Sequence, residues 1–333
     1  MSIRRLALAL AAVTTLSIPP AAAQVPVDEV RWDFRAEPGQ RFLVTHTKEV
    51  ERYKDGASIF RGKASTEFAV EVLGRDANGY AFRWTAGHIQ LDDALRALTP
   101  NAEAMARMGE GMVVEFRSDL AGHPIEIVNQ EALRALMASR VDQMVSETVE
   151  TARRNRVPET EVSKIAAALG MAKTMFANMT PEQLSALGLD EPRQLQLASG
   201  AAYRLGQTIV RTDTFVGPFG GAPIEVEARF TLLADGLTAE RATVEWEQNL
   251  DPKSTTLGVI GSMPQIAQLT GQLLQGLGPV NPSQLPPITV TQRGRFTLDR
   301  RTGRTLSAEI SRGVASGTLM QLERRTMTSR PAP

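Results

Sequence analysis

Alternation with a period of two runs through the first and last thirds of this chain, and a spacing of three and four runs through its middle. Phe68, Val70 and Val72 alternate with Glu67, Ala69 and Glu71, and Tyr80, Phe82 and Trp84 share one parity. Side chains two apart point to the same face of a strand, so these stretches predict an antiparallel sheet with one dry and one wet face. Strands are expected over 30–34, 41–53, 58–73, 80–89, 112–118 and 125–128, with hairpin chemistry at Lys54-Asp55-Gly56 because Asp-Gly accepts the positive φ of a tight turn.

The middle is helical. Residues 92–108 have helical composition, split by Pro100. Asn129 is expected to cap a long amphipathic helix over 130–154, with Leu133, Leu136, Met137, Val141, Met144, Val145 and Val149 on one face. Pro158 opens a second helix carrying Val162, Ile165, Ala166, Leu169, Ala172 and Phe176 on one side. Thr180-Pro181-Glu182-Gln183 starts a third, with Thr as cap, Pro at the first helical position and Gln183 closing a capping box. Strands return over 207–215, 224–233 and 239–248. A helical patch follows at 255–277 and a Pro- and Gly-rich loop at 278–287. A hairpin is expected from 288–298 and 305–311, then a last strand at 318–325 and a disordered tail at 329–333. Neither β-rich part carries enough elements to cover its own apolar face. The expected fold is therefore α+β: one domain, 24–328, in which a curled antiparallel β-sheet (a half-barrel) packs on helices, with a helical insertion at about 130–190.

The first residues change the picture of where the chain works. Arg4 and Arg5 precede an apolar run over 6–18, then come Pro19, Pro20 and Ala21-Ala22-Ala23. That order is a secretory signal peptide, with cleavage expected after Ala23. The run of about 13 residues is short of the roughly 20 needed to cross a bilayer. The mature chain is expected to be periplasmic or secreted. Cysteine is absent, so neither disulfides nor an N-terminal lipid anchor can support it. The whole chain has 37 basic and 37 acidic side chains, and loss of two arginines with the leader leaves a net charge of about −2, no footprint for nucleic acid.

Several short signatures together resemble a family of exported bacterial proteins of unknown function. These are a Gly-x-x-Phe strand at Gly39 and Phe42, the helix start Asn129-Gln130-Glu131-Ala132-Leu133, and a closing Asp-x-x-Thr-Gly hairpin at Asp299, Thr302 and Gly303. The strand-then-helix plan is similar to the half-open β-sheet folds of periplasmic lipoprotein carriers and lipid-binding envelope proteins. The resemblance implies a sheet curled over helices with an acyl chain held between them. This chain is much longer than those carriers and adds the 130–190 insertion, so no carrier residue transfers to a position here.

Catalytic signatures are missing from the sequence. His46, His88 and His123 stand in separate segments without the spacing of a zinc site. There is no Gly-x-Ser-x-Gly elbow and no phosphate loop. Gly217-Pro218-Phe219-Gly220-Gly221 lies between strands, where no helix N-terminus can hold an anion. No metal and no cofactor is expected. Asp92/Asp93 and Glu147/Glu150 fit solvated helix positions better than acid–base pairs. The unusual feature is methionine: Met171, Met175 and Met179 are spaced by four, Met137 and Met144 by seven. Flexible, polarisable Met suits a groove for variable apolar ligands as well as ordinary core. The expected function is a non-enzymatic carrier for an apolar or amphipathic ligand, a lipid or acylated partner. Its site would be formed by Phe68 and Trp84 on the dry face and Met137, Met144, Met171 and Met175 on the helices. Two alternatives stay open: an envelope interaction protein with a solid core and no small ligand, and an enzyme assembled from His46, His88 and Asp92.

Overall fold

The first hairpin turns where the sequence supplies positive φ, at Asp55 (52°) and Gly56 (79°), and joins β2 (Arg41–Lys54) to β3 (Ala57–Arg75). In the computed structural model, which describes residues 29–98, 102–215, 224–258 and 286–333, the other main strands follow the same alternation. They are β4 (Tyr80–Ala86), β6 (Val113–Ser118), β7 (Pro124–Ile127), β9 (Thr208–Phe215), β10 (Ile224–Leu233), β11 (Arg241–Leu250), β12 (Ile288–Asp299), β13 (Thr305–Ser316) and β14 (Leu319–Pro331). They form one open antiparallel sheet in the order β7-β6-β4-β3-β2-β14-β13-β12-β11-β10-β9, with β5 (Gln90–Leu91) beside β3. The N- and C-terminal β-rich parts join through thirteen paired positions of β2 and β14, from Leu319 opposite Lys54 to Pro331 opposite Phe42. The fold is thus α+β, a large unclosed antiparallel sheet packed on helices.

A small second sheet covers the dry face. In it β1 (Glu29–Arg31) pairs with β8 (Ala202–Arg204), and the chain continues as a strap in which Trp32 N–H donates to Ala201 O (2.8 Å) and Arg35 N–H to Thr302 O (2.7 Å). Trp32 and Phe34 are buried beneath it with Phe42, Val44, Val72, Phe82, Phe296 and Met327. Gly303 has to be glycine: its φ is 63°, and a Cβ there would sit 1.9 Å from Asp33 O in the strap.

The helices are α1 (Asp93–Leu98), α2 (Ala102–Gly109), α3 (Gln130–Arg154), α4 (Glu159–Ala177), α5 (Pro181–Gly188) and α6 (Asp190–Leu195). The capping box forms as the sequence predicts, with Gln183 N–H donating to Thr180 Oγ1 and Thr180 N–H to Gln183 Oε1. Asn129 does not cap α3 through its side chain. Its Oδ1 accepts from Glu115 N–H and its Nδ2 donates to Val113 O, both at 2.9 Å, so it ties the helix start to β6. In α3, Leu133 and Met137 reach the main core, whereas Val141, Met144, Thr148 and Ala152 are buried further along.

One further expectation is corrected. Residues 329–331 are strand, not disordered tail: Ser329 pairs with Val44 on β2 and is buried. The helical stretch at 92–108, expected to be split by Pro100, is two helices. The helical insertion closes with α6, where Asp190 and Glu191 supply the acidic first turn that the helix dipole favours. The patch expected at 255–277 is helical over 252–258; its remainder, the leader at 1–23 and the 217–221 glycine run lie outside the described residues. Among the described residues no helix is long and apolar enough to cross a membrane, which says nothing of strands.

Candidate functional site

Of the residues expected to hold an apolar ligand, Phe68, Trp84 and Met137 are packed into the core. Phe68 and Trp84 sit on adjacent strands with ring centroids 5.5 Å apart. Trp84 also meets Phe116 at 6.3 Å and is 5% exposed. Met137 packs against the main core from α3. Met144 is buried beside a cleft of only about 10 Å³ lined by Arg107, Arg140 and Glu147. The side chains of Met171 and Met175 on α4 lie outside the described residues. Phe68 and Trp84 thus touch, Met137 borders the same main core, and Met144 lies apart from it.

The scattered polar residues do not converge either. His88 is exposed with Nδ1 3.0 Å from Glu110. Asp92 caps α1, accepting from Leu95 N–H (2.8 Å) and from Lys63 N–H (2.7 Å). His46 lies elsewhere, under α6. Among the described residues no group of three or more His, Cys, Asp or Glu could hold a metal.

A different trio does line up. His123 Nδ1 is 3.1 Å from Asp119 Oδ2, and His123 Nε2 is 3.1 Å from Ser199 Oγ. The order resembles a serine-hydrolase relay, but the surroundings do not fit a nucleophile. Ser199 is 0% exposed and its hydroxyl donates to Gln196 O at 2.7 Å. Asp119 Oδ1 is occupied by Ala121 N–H and His123 N–H. The trio fastens the β6–β7 turn to the turn before β8.

Under α6 the dry face carries charge. Arg325 is held between Glu323 and Asp190, the latter at 2.5 Å, and Lys48 reaches Glu323 at 3.0 Å. Burial pushes the Glu323 carboxyl up, yet the Arg325 and Lys48 cations pull it below its ordinary value. Glu191 is raised, by burial first and by Asp190 beside it. Burial, reinforced by Arg325 and Lys48, lowers His46 to about 4, so its ring is neutral at 3.7 Å from Glu191. This network locks α6 onto β2 and β14.

Among the described residues two accessible concavities lie on the other side; the larger, about 540 Å³, is a shallow opening lined by Thr45, Glu67, Thr85 and His88. Long strands twist and coil, and at the far ends of β2, β3 and β11–β14 the wet face becomes a groove of about 380 Å³. Register sets its floor. One row runs Lys63, Glu49, Arg324, Ser311, Arg293, Glu247, Arg229 across seven strands. The next holds Arg61, Glu51, Leu322, Gly313, Thr291 and Asn249. Glu49 is drawn outward to Lys63 at 3.3 Å, and Arg229 pairs with Glu227. Among the described residues Arg61, Arg293 and Arg324 have no ion-pair partner. Gly313 deepens the floor, its missing side chain flanked by Thr291 and Leu322. At one end the groove turns apolar: Leu322 (41% exposed) is followed on the same face by Met320 (38%) opposite Tyr53. Sequence reasoning missed this site because its arginines belong to strands far apart in the chain, and only register makes them neighbours.

No protein-family model and no curated protein sequence matches the chain. Among solved structures it is similar to lipovitellin, described in a study of lipid–protein interactions, at 11% identity and a TM-score of 0.47, covering 89% of this chain and 26% of that one. The chain therefore spans about a quarter of that protein's length. It is also similar to the translocator domain of the autotransporter NalP from Neisseria meningitidis, at 8% identity and TM-score 0.25, covering 89% and 90%. A third likeness is to an outer membrane channel from Pseudomonas putida F1, at 7% identity and TM-score 0.16, covering 90% and 98%. With every TM-score under one half, these likenesses carry no argument.

Proposed function

We propose that this chain is an exported, non-enzymatic binding protein for an amphipathic ligand, and that the ligand docks in the wet-face groove rather than between sheet and helices. The observation that carries the reading is the groove's composition: unpaired guanidinium and hydroxyl groups at its centre, grading into exposed Leu322 and Met320 at its end. A polar head and a short apolar tail match that gradient. The dry face offers no equivalent among the described residues, since Phe68, Trp84 and Met137 are packed into the core.

Mass spectrometry of an organic-solvent extract tests it, on protein purified gently from its native envelope and on a Gly313→Trp variant whose indole fills the groove. The expected result is an amphiphile near one per chain in the parent and little in the variant. An empty parent, or equal loading of both, overturns the reading.

The dry packing at Trp84, Val72 and Val44 favours a second reading, an envelope interaction protein with a solid core and no small ligand. A stable protein partner recovered with an empty groove is its signature.

A further inference from the structure

We propose that Arg293 and Arg324 seat a phosphate-type tetrahedral oxyanion over Ser311, a site that rests on the groove reading above and names the head group it accepts. Arg324 on β14 and Arg293 on β12 flank Ser311 on β13 in one register row. Adjacent strands are about 4.8 Å apart, which puts the two arginine backbones about 10 Å from each other with their side chains on the same face. A guanidinium stem is long enough for both to converge above the serine hydroxyl.

The carboxylates that register places beside them are not used. Glu49, next to Arg324, binds Lys63 instead, and neither Glu49 nor Glu247 comes within 4.0 Å of either guanidinium. Two like charges thus flank one hydroxyl, and no carboxylate among the described residues is in ion-pair contact with either. An anion between them removes that repulsion.

Donor number selects the kind of anion. Two guanidinium forks, the Ser311 hydroxyl and the Thr291 hydroxyl offer about six N–H and O–H donors around one point. A carboxylate has two oxygens and about four acceptor sites, so it leaves donors unmet. A phosphate monoester presents three terminal oxygens and matches both forks in bidentate fashion. Arg61, one row away in the same groove, adds to the positive field. The floor carboxylates Glu51 and Glu247 disfavour polyanions and leave room for a single head group. A phosphorylated lipid head and a free phosphate share this chemistry.

Isothermal titration of the mature chain distinguishes the sources. Inorganic phosphate, octyl phosphate and octanoate are titrated into the parent, Arg293→Gln, Arg324→Gln, the double variant and Ser311→Ala, with circular dichroism melts confirming the fold. Charge-assisted hydrogen bonds of this kind predict a loss of about tenfold or more per arginine. The double variant is expected to lose both phosphates, binding in the parent is expected to weaken with added salt, and octanoate is expected to bind at least about tenfold more weakly than octyl phosphate. Octyl phosphate binding parent and double variant equally overturns the seat while leaving the amphipathic groove reading intact. Inorganic phosphate bound as tightly as octyl phosphate, and lost in the double variant, supports the seat while removing the case for an apolar tail. Octanoate matching octyl phosphate, or no phosphate bound at all, overturns the proposal.

Discussion

The two faces of β14 treat charge in opposite ways. Inward lie Glu323, Arg325, Met327 and Ser329; outward lie Leu322, Arg324, Thr326 and Thr328. The inward Arg325 is bound on both sides by carboxylates, and Glu323 by two cations. The outward Arg324, one residue away, has no ion-pair partner among the described residues although Glu49 is its register neighbour. A buried charge without a partner costs several kcal/mol, so the fold must satisfy it internally. An exposed one is solvated and can wait for something from outside. Among the charged side chains of this strand, the paired ones hold the fold together, and the unpaired one is free to be the proposed ligand contact.

The largest way to break that contrast is on the dry face. Trp84→Ala removes an indole packed on Phe68 and Phe116 and is expected to cost about 3–5 kcal/mol of unfolding free energy, read by urea denaturation. Octyl phosphate affinity, measured where the variant is still folded, is expected to stay unchanged. A matching loss of affinity would return the ligand to the space between sheet and helices.

Next is the buried arginine. Arg325→Ala leaves Glu323 with Lys48 alone and Asp190, half exposed, without its cation, and is expected to cost about 1–3 kcal/mol. Arg324→Ala, at the neighbouring position, is expected to change stability by less than about 0.5 kcal/mol. Equal effects of the two substitutions in denaturant titrations would erase the distinction between the faces.

Most of the dry face was legible in the sequence, because burial imposes a period that a single strand displays by itself. Val70, Val72, Tyr80, Phe82 and Trp84 alternate and are all buried. The Thr180 capping box is equally local and equally legible. The 329–331 segment was misjudged because Ser329 and Arg330 look like a polar terminus, and only pairing with β2 orders them. Asn129 has the composition of a cap, but strand β6 offered its amide two backbone partners. The methionine-lined site was inferred from helical spacing, which reports that a face is apolar and not whether space is left beside it. The groove was invisible for a complementary reason: Arg293, Ser311 and Arg324 become neighbours through the pairing of three strands, and no local pattern encodes that register.

Acid is expected to probe the dry face more gently. His46 titrates at about 4 in the fold against 6.5 in the unfolded chain. Its folded value is depressed, so its contribution is fully present above pH 6.5 and is lost as pH falls toward 4. By linkage this amounts to at most about 3 kcal/mol. The groups facing it are Lys48, Glu323 and Arg325 on the sheet and Asp190 and Glu191 on α6. Glu323, also depressed, adds a loss in the same direction at lower pH. His46→Leu removes the titration without stranding a partner, since Nε2 makes no hydrogen bond. Glu191, whose folded value is raised, shifts stability the other way as pH falls, so the test is the difference between the two proteins: between pH 6.5 and 4.5 the parent's urea midpoint is expected to fall relative to that of the variant. A constant difference across that window overturns the buried neutral histidine.

The smallest effect is the sharpest on the wet face. Without ligand, the Arg293→Gln/Arg324→Gln pair relieves repulsion between two exposed guanidiniums, which water and salt largely screen. Its unfolding free energy is expected to match the parent within about 0.5 kcal/mol, with a slight gain at low salt. Phosphate then separates the two proteins. A ligand that binds only the folded state stabilises it by RT ln(1 + [L]/Kd), about 1.4 kcal/mol at ten times Kd. The parent is therefore expected to gain that amount in phosphate relative to chloride at equal ionic strength, and the double variant is expected to gain none. Arg325 cannot take part in such a gain, because both of its carboxylate partners are already in the fold. The same residue type, one position apart, is thus expected to give a large constant effect on one face and a ligand-dependent effect on the other.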